Sequence, residues 1–295
     1  MNDLNIDLNL ENFFHNSNEG IGILKDDSSF SFLNKGKQIR ANIIFSLARI
    51  LKIEDESAFT LARVIEMVHN ATLSHDDIID QASIRRGESS LAATYGNSET
   101  VLLGDYMLSK ALVELAEVDN ITVIRDLALC LKHLVDGEWI QLETSNPFSI
   151  DIERYIRLAE LKTGSLFSWA FSSPAIVAKL DFQSIEQLQT IGNLIGVIFQ
   201  IQDDLIDFSD QTGKEKHIDL KNNNPNIVLS CMGKLNSQEN KFDQEKLEQS
   251  LYQTKAILDE KKSQLENNIH IFCSRNGKYQ DFFKIVLDRI LNRTY

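Results

Sequence analysis

The chain contains 295 residues, 43% of them hydrophobic, and its 43 acidic residues outnumber its 30 basic residues, which gives a formal net charge of −13. This composition excludes collagen-like, low-complexity and wholly disordered proteins, and the acidic surplus argues against a nucleic-acid partner, because phosphate backbones require Lys and Arg. No apolar run reaches the roughly 18 residues that a membrane span needs, and the acidic first residues are not typical of a signal or transit peptide, so a cytoplasmic protein is expected.

Apolar residues recur at helical spacing along most of the chain. The predicted helices cover residues 38–51, 57–80, 98–118, 121–144, 151–171, 184–208, 243–267 and 279–292. Ser57 is expected to cap the second helix. No convincing strand pattern is present, and no proline precedes Pro147. The sequence therefore predicts an all-α protein in which residues 1–295 form a single domain of about ten or more helices.

Two segments have the composition of loops. One is Ser145–Ser149, and the other, Ser209–Asn226, is polar and follows directly on an aspartate cluster. The longer segment is interpreted either as a lid over an active site or as a solvated linker. The three cysteines, Cys130, Cys231 and Cys273, lack the spacing of a zinc site and are expected to be reduced thiols.

The most informative feature is a pair of DDxxD motifs, Asp76–Asp80 and Asp203–Asp207, each near the end of an apolar helical segment. Residues four apart lie on one face of a helix, so the first and last aspartates of each motif project together. Mg²⁺ is the natural cation for such pairs, because it prefers carboxylate and phosphate oxygens. One motif alone is more often an exposed acidic turn, whereas two copies favour a metal site.

Several basic residues accompany the two motifs: Lys37, Arg40, Arg85, Arg86, Lys162 and Lys214. Guanidinium and ammonium groups are the usual protein ligands of a diphosphate. Each of these residues by itself is also typical of a solvated surface charge. Together with two carboxylate pairs, they indicate a site for a diphosphate bridged by Mg²⁺.

Longer motifs resemble the trans-isoprenyl diphosphate synthase family, most closely its long-chain polyprenyl members. They are GKQIR (36–40), HNATLSHDDIIDQASIRRG (69–87), YGNSETVLLGDYMLSKA (95–111), VDGEWIQLE (135–143), LKTGSLFSWA (161–170) and FQIQDDLIDF (199–208). The resemblance implies a helical bundle around a deep central cavity. It also implies a Mg²⁺-dependent prenyltransferase that condenses isopentenyl diphosphate with an allylic diphosphate, for which farnesyl diphosphate is the expected primer.

The resemblance also assigns roles to matching positions, with roughly three Mg²⁺ ions per active site. Catalysis would fall to Lys162 and the motif aspartates Asp76, Asp77, Asp80, Asp203, Asp204 and Asp207, of which Asp76, Asp80 and Asp203 would bind metal. Isopentenyl diphosphate would be held by Lys37, Arg40, His69 and Arg86. The allylic diphosphate would be held by Arg85, Lys162, Thr163, Gln200 and Lys214. A homodimer is implied as well, with the apolar helix 98–118 as its candidate interface.

Product length is expected to be set on the helix that carries Asp76. Ala71 and Thr72 lie about one turn before it, where short-chain relatives commonly have an aromatic ring, so a product of about C40 is expected by family analogy. A quinone side chain is the expected destination of that product. Gly192 and Gly196 precede the second motif and are interpreted either as widening the cavity or as allowing close helix packing.

The chain departs from the family pattern in three places. Lys35 and Ala41 stand where a glycine and a proline are usual, and Asn224 and Asn226 replace a lysine and a threonine beyond the second motif. The alternatives considered are a short-chain synthase, a class I terpene cyclase, a non-catalytic partner subunit and a structural helical protein. Cyclases usually lack the basic motifs present here, and non-catalytic subunits usually lose an aspartate motif, whereas both motifs are whole.

Overall fold

The computed structural model describes residues 37–85, 87–144, 146–208, 224–233 and 244–291. In these ranges the helices are α1 (Ile39–Leu51), α2 (Asp55–Ile79), α3 (Leu91–Tyr95), α4 (Asn97–Ala116), α5 (Ile121–Glu143), α6 (Ile152–Ala159), α7 (Ser165–Val177), α8 (Phe182–Asp207), α9 (Ile227–Met232), α10 (Gln244–Arg275) and α11 (Gln280–Leu291). A π-helical turn (Glu160–Gly164) connects α6 to α7, and a 3₁₀ turn (Gly277–Tyr279) precedes α11. Strands β1 (Ile84–Arg85) and β2 (Glu88–Ser89) form a short antiparallel hairpin.

The prediction of an all-α fold with about ten or more helices is confirmed for the described residues. The short helices α3 and α9 and the hairpin escape prediction, because segments of a few residues carry no measurable periodicity. The prediction that Ser57 caps α2 is wrong: the helix begins at Asp55 with Glu54 at its N-cap. Acidic residues at Asp55 and Glu56 stabilise this earlier start through the helix dipole.

Side-chain caps fix the starts of helices near the predicted site. The side-chain oxygens of Ser90, Asp151, Asp181 and Asn226 accept backbone N–H groups from the first turns of α3, α6, α8 and α9, respectively. Each cap satisfies a donor that the helix itself leaves without a partner, and is worth about 1 kcal/mol. Of the longer predicted loop, residues 209–223 lie outside the described residues.

The helices belong to two compact units. One contains the chain up to Arg125 together with Ser173–Lys179, and the other contains Asp126–Ser172 and the residues from Leu180 onward. The prediction that residues 1–295 form one domain stays a prediction. None of the described helices combines the length and the hydropathy needed to cross a membrane.

In the first unit, α2 packs against α1 and α4. Its apolar side chains recur every three or four residues and point inward, as an amphipathic helix requires. The fully buried side chains of this core include Ile44, Leu47, Leu61, Val64, Val68, Met107 and Leu115. This packing fixes the course of the helix that carries the first aspartate motif.

In the second unit, α8 packs against the π turn, α10 and α11. Aromatic rings from α7, α10 and α11 fill the space between these helices. Phe171 stacks on Phe283 with ring centroids 6.2 Å apart, and Phe272 meets Phe283 edge-on at 5.9 Å. The buried rings hold α8, which carries the second aspartate motif. The three cysteines are free thiols, as predicted.

Candidate active site

The first aspartate motif lies where α2 ends. Asp76 is half-buried, Asp77 is buried, and Asp80, the C-cap residue, is exposed. The backbone N–H of Asp80 donates to the Asp76 carbonyl oxygen at 2.8 Å, so the helical spacing continues through the motif. The first and last carboxylates therefore project from one side, as the sequence predicts.

The middle aspartate is held by an arginine that the hairpin returns to the helix. The Arg85 Nε donates to Asp77 Oδ1 at 2.6 Å, and a second guanidinium nitrogen contacts the same oxygen. Gly87 has φ of 80°, a conformation that favours glycine and that lets the chain reverse between β1 and β2. The arginine predicted to bind the allylic diphosphate thus forms an ion pair with the motif itself. Arg86 lies outside the described residues.

The stretch of α2 before the motif carries the other predicted residues of this unit. Ala71 is fully buried, whereas His69 and Thr72 are half-buried. The Thr72 hydroxyl donates to the His69 carbonyl oxygen at 2.8 Å, which satisfies it within the helix. Ala71 thus lies inside the unit, and the Thr72 hydroxyl is turned back to its own helix.

Two of the basic residues that are predicted to bind isopentenyl diphosphate lie around the start of α1. Lys37 is exposed just before α1, and Arg40 is half-buried in its first turn. The Ala41 N–H points at Glu66 Oε1 on α2, 3.4 Å away. This contact places the start of α1 beside α2, about one turn before His69.

The second aspartate motif ends α8 in the same pattern. Asp203 and Asp207 are half-buried, whereas Asp204 is only 2% exposed. Asp204 Oδ2 accepts from the Tyr155 hydroxyl at 2.6 Å and from the Ile227 N–H at 2.8 Å. Its Oδ1 accepts from Gln200 Nε2 at 2.9 Å. The outer aspartates of both motifs are thus the more accessible ones.

The π turn presents the predicted diphosphate ligands Lys162 and Thr163. The Thr163 hydroxyl donates to Gln200 Oε1 at 2.9 Å, so the structure brings together two predicted allylic ligands from different helices. The Lys162 ammonium lies 2.5 Å from Glu138 Oε2 and 2.9 Å from Gln141 Oε1. A π turn inside a helix is a frequent feature of functional sites, because it redirects side chains that a regular helix would place elsewhere.

Two glycines of α8 allow close approach of its neighbours, the π turn at Gly196 and the first turn of α7 at Gly192. A β-carbon added at Gly196 would lie 2.5 Å from the Gly164 Cα, and one at Gly192 would lie 2.6 Å from the Phe167 carbonyl oxygen. Both distances are far below van der Waals contact. These contacts favour close packing over cavity widening as the reason for glycine at these positions.

The segment after α8 bears on the departures from the family pattern. Lys214, predicted to bind the allylic diphosphate, lies outside the described residues. Asn226 is fully buried, and its side chain accepts the Val228 N–H at 2.9 Å as the N-cap of α9. Threonine and asparagine both cap helices well, so this replacement preserves the local structure. Asn224 is half-buried just before it.

The described residues do not bring three or more His, Cys, Asp or Glu side chains together as a preformed metal cluster. The outer aspartates of each motif nevertheless fit Mg²⁺, which is typically held by one or two carboxylates while waters and phosphate oxygens complete its coordination. The middle aspartates fit less well, because Arg85 holds Asp77 and three neutral donors hold Asp204.

Comparison with known proteins identifies the family. Residues 23–267 match the Polyprenyl synthetase family. The chain belongs to this family. It is 38% identical over 202 residues to the decaprenyl-diphosphate synthase of Dictyostelium discoideum, covering 67% of this chain and 44% of that protein. It is 33% identical over 197 residues to the octaprenyl diphosphate synthase of Escherichia coli, covering 66% of this chain and 61% of that protein. The chain thus spans about half to three fifths of these relatives.

The polyprenyl synthetase fold is confirmed by solved structures. A decaprenyl diphosphate synthase from Rhodobacter capsulatus matches with a TM-score of 0.76 at 21% identity, covering 95% of this chain and 94% of that one. The resemblance read from the motifs is therefore confirmed at the level of family and fold. The deep central cavity and the individual site roles stay predictions.

Three partners of the predicted site residues escape the sequence analysis: Glu138, Gln141 and Tyr155. Glu138 and Gln141 belong to VDGEWIQLE, one of the motifs that carry the resemblance, so that motif contained a signal for them. Tyr155 lies two turns before Lys162, but its partner Asp204 is 49 residues away in sequence. No local pattern reveals a contact of that range.

Proposed function

We propose that this polyprenyl synthetase family member condenses isopentenyl diphosphate head-to-tail onto an allylic diphosphate, giving a long all-trans polyprenyl diphosphate. The observation that carries the proposal is the pairing of Thr163 with Gln200 beside the second aspartate motif. Hydroxyl and amide groups held together next to half-buried carboxylates suit a diphosphate with its metal ions. The two relatives are named as decaprenyl and octaprenyl diphosphate synthases, which supports a long product.

Basic and polar side chains bind and orient the two diphosphates. Arg85, Lys162, Thr163 and Gln200 hold the allylic diphosphate, and Lys37, Arg40 and His69 hold isopentenyl diphosphate. Cationic and hydroxyl donors lower the free energy of the departing diphosphate as negative charge develops on it. Lys214 and Arg86 complete the two sets by their positions in the family motifs.

The bonds change in sequence. The C–O bond of the allylic diphosphate breaks, and its electron pair leaves with the diphosphate. The double bond of isopentenyl diphosphate then forms the new C–C bond to the allylic cation. The proton lost afterwards goes to the released diphosphate. Water must be excluded during this step, because it would quench the cation.

Mg²⁺ held by Asp76, Asp80 and Asp203 would supply positive charge to the allylic diphosphate, roughly three ions per site. The carboxylates of Asp76 and Asp80 project from one side of α2, which suits a shared ion. Asp207 lies on the same face of α8 as Asp203.

The finer assignments follow from the same proposal. By analogy with the family, farnesyl diphosphate is the primer and the product is near C40. The product becomes a quinone side chain, and the enzyme itself is cytoplasmic. The chain acts as a homodimer. Support for a dimer comes from α4, on which Leu102 and Val113, three turns apart on one face, are 68% and 65% exposed.

The test is incubation of the purified protein with radiolabelled isopentenyl diphosphate, farnesyl diphosphate and Mg²⁺, followed by sizing of the dephosphorylated product. A ladder that ends near C40 is expected. A product that stops at C15–C20 would make the protein a short-chain synthase, and cyclic hydrocarbons would make it a cyclase. No product with any allylic primer would leave the non-catalytic subunit as the better explanation.

A further inference from the structure

Asp204 differs from its neighbours in the second aspartate motif. Asp203 and Asp207 are half-buried, whereas Asp204 is 2% exposed and both of its oxygens accept hydrogen bonds. A buried carboxylate of this kind needs donors around it, because desolvation otherwise disfavours the charge. Its donors include a tyrosine hydroxyl, a glutamine amide and a backbone N–H.

These donors lead directly to the predicted substrate ligands. Tyr155 lies in the last helix before the π turn and donates to Asp204 Oδ2 at 2.6 Å. Gln200 donates to Asp204 Oδ1 at 2.9 Å and accepts from the Thr163 hydroxyl at 2.9 Å. A continuous chain of hydrogen bonds within the second unit therefore joins Tyr155 to Asp204, Asp204 to Gln200, and Gln200 to Thr163.

We propose that Asp204 and Tyr155 are positioning residues that fix the orientation of the Gln200 amide and, through it, of the Thr163 hydroxyl. This inference rests on the proposed function and reassigns Asp204, which the sequence places among the catalytic aspartates. In this arrangement Asp204 contacts neither metal nor substrate.

The direction of each hydrogen bond follows from the chemistry of the groups. An ionised carboxylate only accepts, so Gln200 turns its NH₂ group to Asp204. The Gln200 carbonyl oxygen then faces Thr163, and the threonine hydroxyl donates to it. Tyr155 and the Ile227 N–H share the other carboxylate oxygen and hold Asp204 in place. These donors hold the carboxylate on both of its oxygens and thereby fix which end of the Gln200 amide faces Thr163.

Asp204→Asn tests this orientation directly. The asparagine oxygen can still accept from Tyr155 and Ile227, but its NH₂ group would face the NH₂ group of Gln200. The amide of Gln200 must then turn over and present its NH₂ group to Thr163. We expect the KM for the allylic diphosphate to rise about tenfold, with the KM for isopentenyl diphosphate and the Mg²⁺ concentration for half-maximal rate within about twofold of wild type.

Tyr155→Phe is the second variant, because it removes one donor and leaves the motif itself unchanged. A smaller rise of about threefold in the same KM is expected. Tyr252→Phe is its matched control, since Tyr252 is 79% exposed on α10, and it should change neither KM. Asp203→Asn is the comparison for a metal ligand and should raise the Mg²⁺ requirement markedly. If Asp204→Asn does not fold by circular dichroism, Tyr155→Phe decides the outcome.

A second readout does not depend on turnover. Calorimetric titration of each protein with inorganic diphosphate and Mg²⁺ should give the wild-type metal dependence for Asp204→Asn and a weakened one for Asp203→Asn. A parallel weakening in both variants would make Asp204 a metal ligand and overturn the proposal, as would an allylic KM that neither Asp204→Asn nor Tyr155→Phe changes. A wild-type protein that binds diphosphate and makes no prenyl product would contradict the proposed function alone.

Discussion

The two aspartate motifs have the same sequence pattern but are held in place by different chemistry. In each, the second aspartate is buried and the outer ones are more accessible. Asp77 is paired with the guanidinium group of Arg85, whereas Asp204 is held by neutral donors. Each motif therefore combines an outward pair for metal with an inward anchor, the buried second aspartate, and in the first motif this anchor is held by a full opposite charge.

The largest expected effect comes from the outward pair. Asp76→Ala and Asp203→Ala should each lower turnover at least about a hundredfold, because loss of charge stabilisation at a reacting diphosphate costs several kcal/mol. Both variants should keep the helical circular dichroism spectrum, since neither residue is part of the buried core. Activity is measured at saturating Mg²⁺, and wild-type protein purified in parallel is the control. Wild-type turnover in either variant would refute the assignment of the outer aspartates to metal.

The sequence was sufficient for the longer helices and for the outward faces of the motifs. Helical periodicity is local, and so is the i, i+4 rule that places Asp76 with Asp80. Neither anchor follows from such a rule. The Arg85 contact requires a hairpin of two-residue strands, and the Tyr155 contact joins helices that are distant in sequence. The π turn is equally hidden, because its close approach to Gly196 is a property of two packed backbones.

The second prediction uses the charge difference between the anchors. Arg85→Ala removes a predicted diphosphate ligand and leaves Asp77, with a side chain only 4% exposed, without its guanidinium partner. The KM for the allylic diphosphate should rise roughly tenfold to a hundredfold, and the free energy of unfolding should fall by about 3 kcal/mol, against about 1 kcal/mol for Tyr155→Phe.

Urea unfolding of both variants measures this difference. Arg154→Ala is a suitable control, because Arg154 forms an exposed ion pair with Glu143, and such pairs contribute at most about 1 kcal/mol. Equal destabilisation by Arg85→Ala and Arg154→Ala would mean that the charge of the first anchor adds nothing to stability.

The small residues before each motif give the third prediction. Ala71→Phe places a ring on α2 where the product is proposed to extend, and should shorten it to about C15–C20 without abolishing turnover. Gly196→Ala instead forces α8 away from the π turn, so it should lower the free energy of unfolding by about 1–3 kcal/mol and leave the product length unchanged. Product sizing and urea unfolding separate the two. An Ala71→Phe enzyme that still makes the wild-type product would refute the role of Ala71.

The smallest expected effect concerns a half-buried carboxylate outside both motifs, which like Asp204 accepts from neutral hydrogen-bond donors. The Asp126 carboxylate on α5 accepts from the Ser172 hydroxyl at 2.5 Å and from Gln189 Nε2 at 2.9 Å. Partial burial raises the pKa of Asp126 above its usual 3.8, and these two hydrogen bonds together with the nearby His133 offset only part of that rise. The folded protein therefore binds this proton more tightly than the unfolded chain does.

The sign of the pH dependence follows from that difference. Where the folded state binds more protons than the unfolded chain, the free energy of unfolding falls as pH rises. The contribution of Asp126 to this free energy is therefore most favourable below pH 3.8 and is lost as pH rises through the raised pKa of Asp126. Asp126→Asn removes the charge and leaves an oxygen for Ser172, while the Gln189 amide can turn to meet the new NH₂ group. The variant should be about 1 kcal/mol more stable than wild type near neutral pH, with the gap closing toward pH 4. Urea unfolding across this range checks it, and a gap that widens on acidification would show that hydrogen bonds outweigh burial at Asp126.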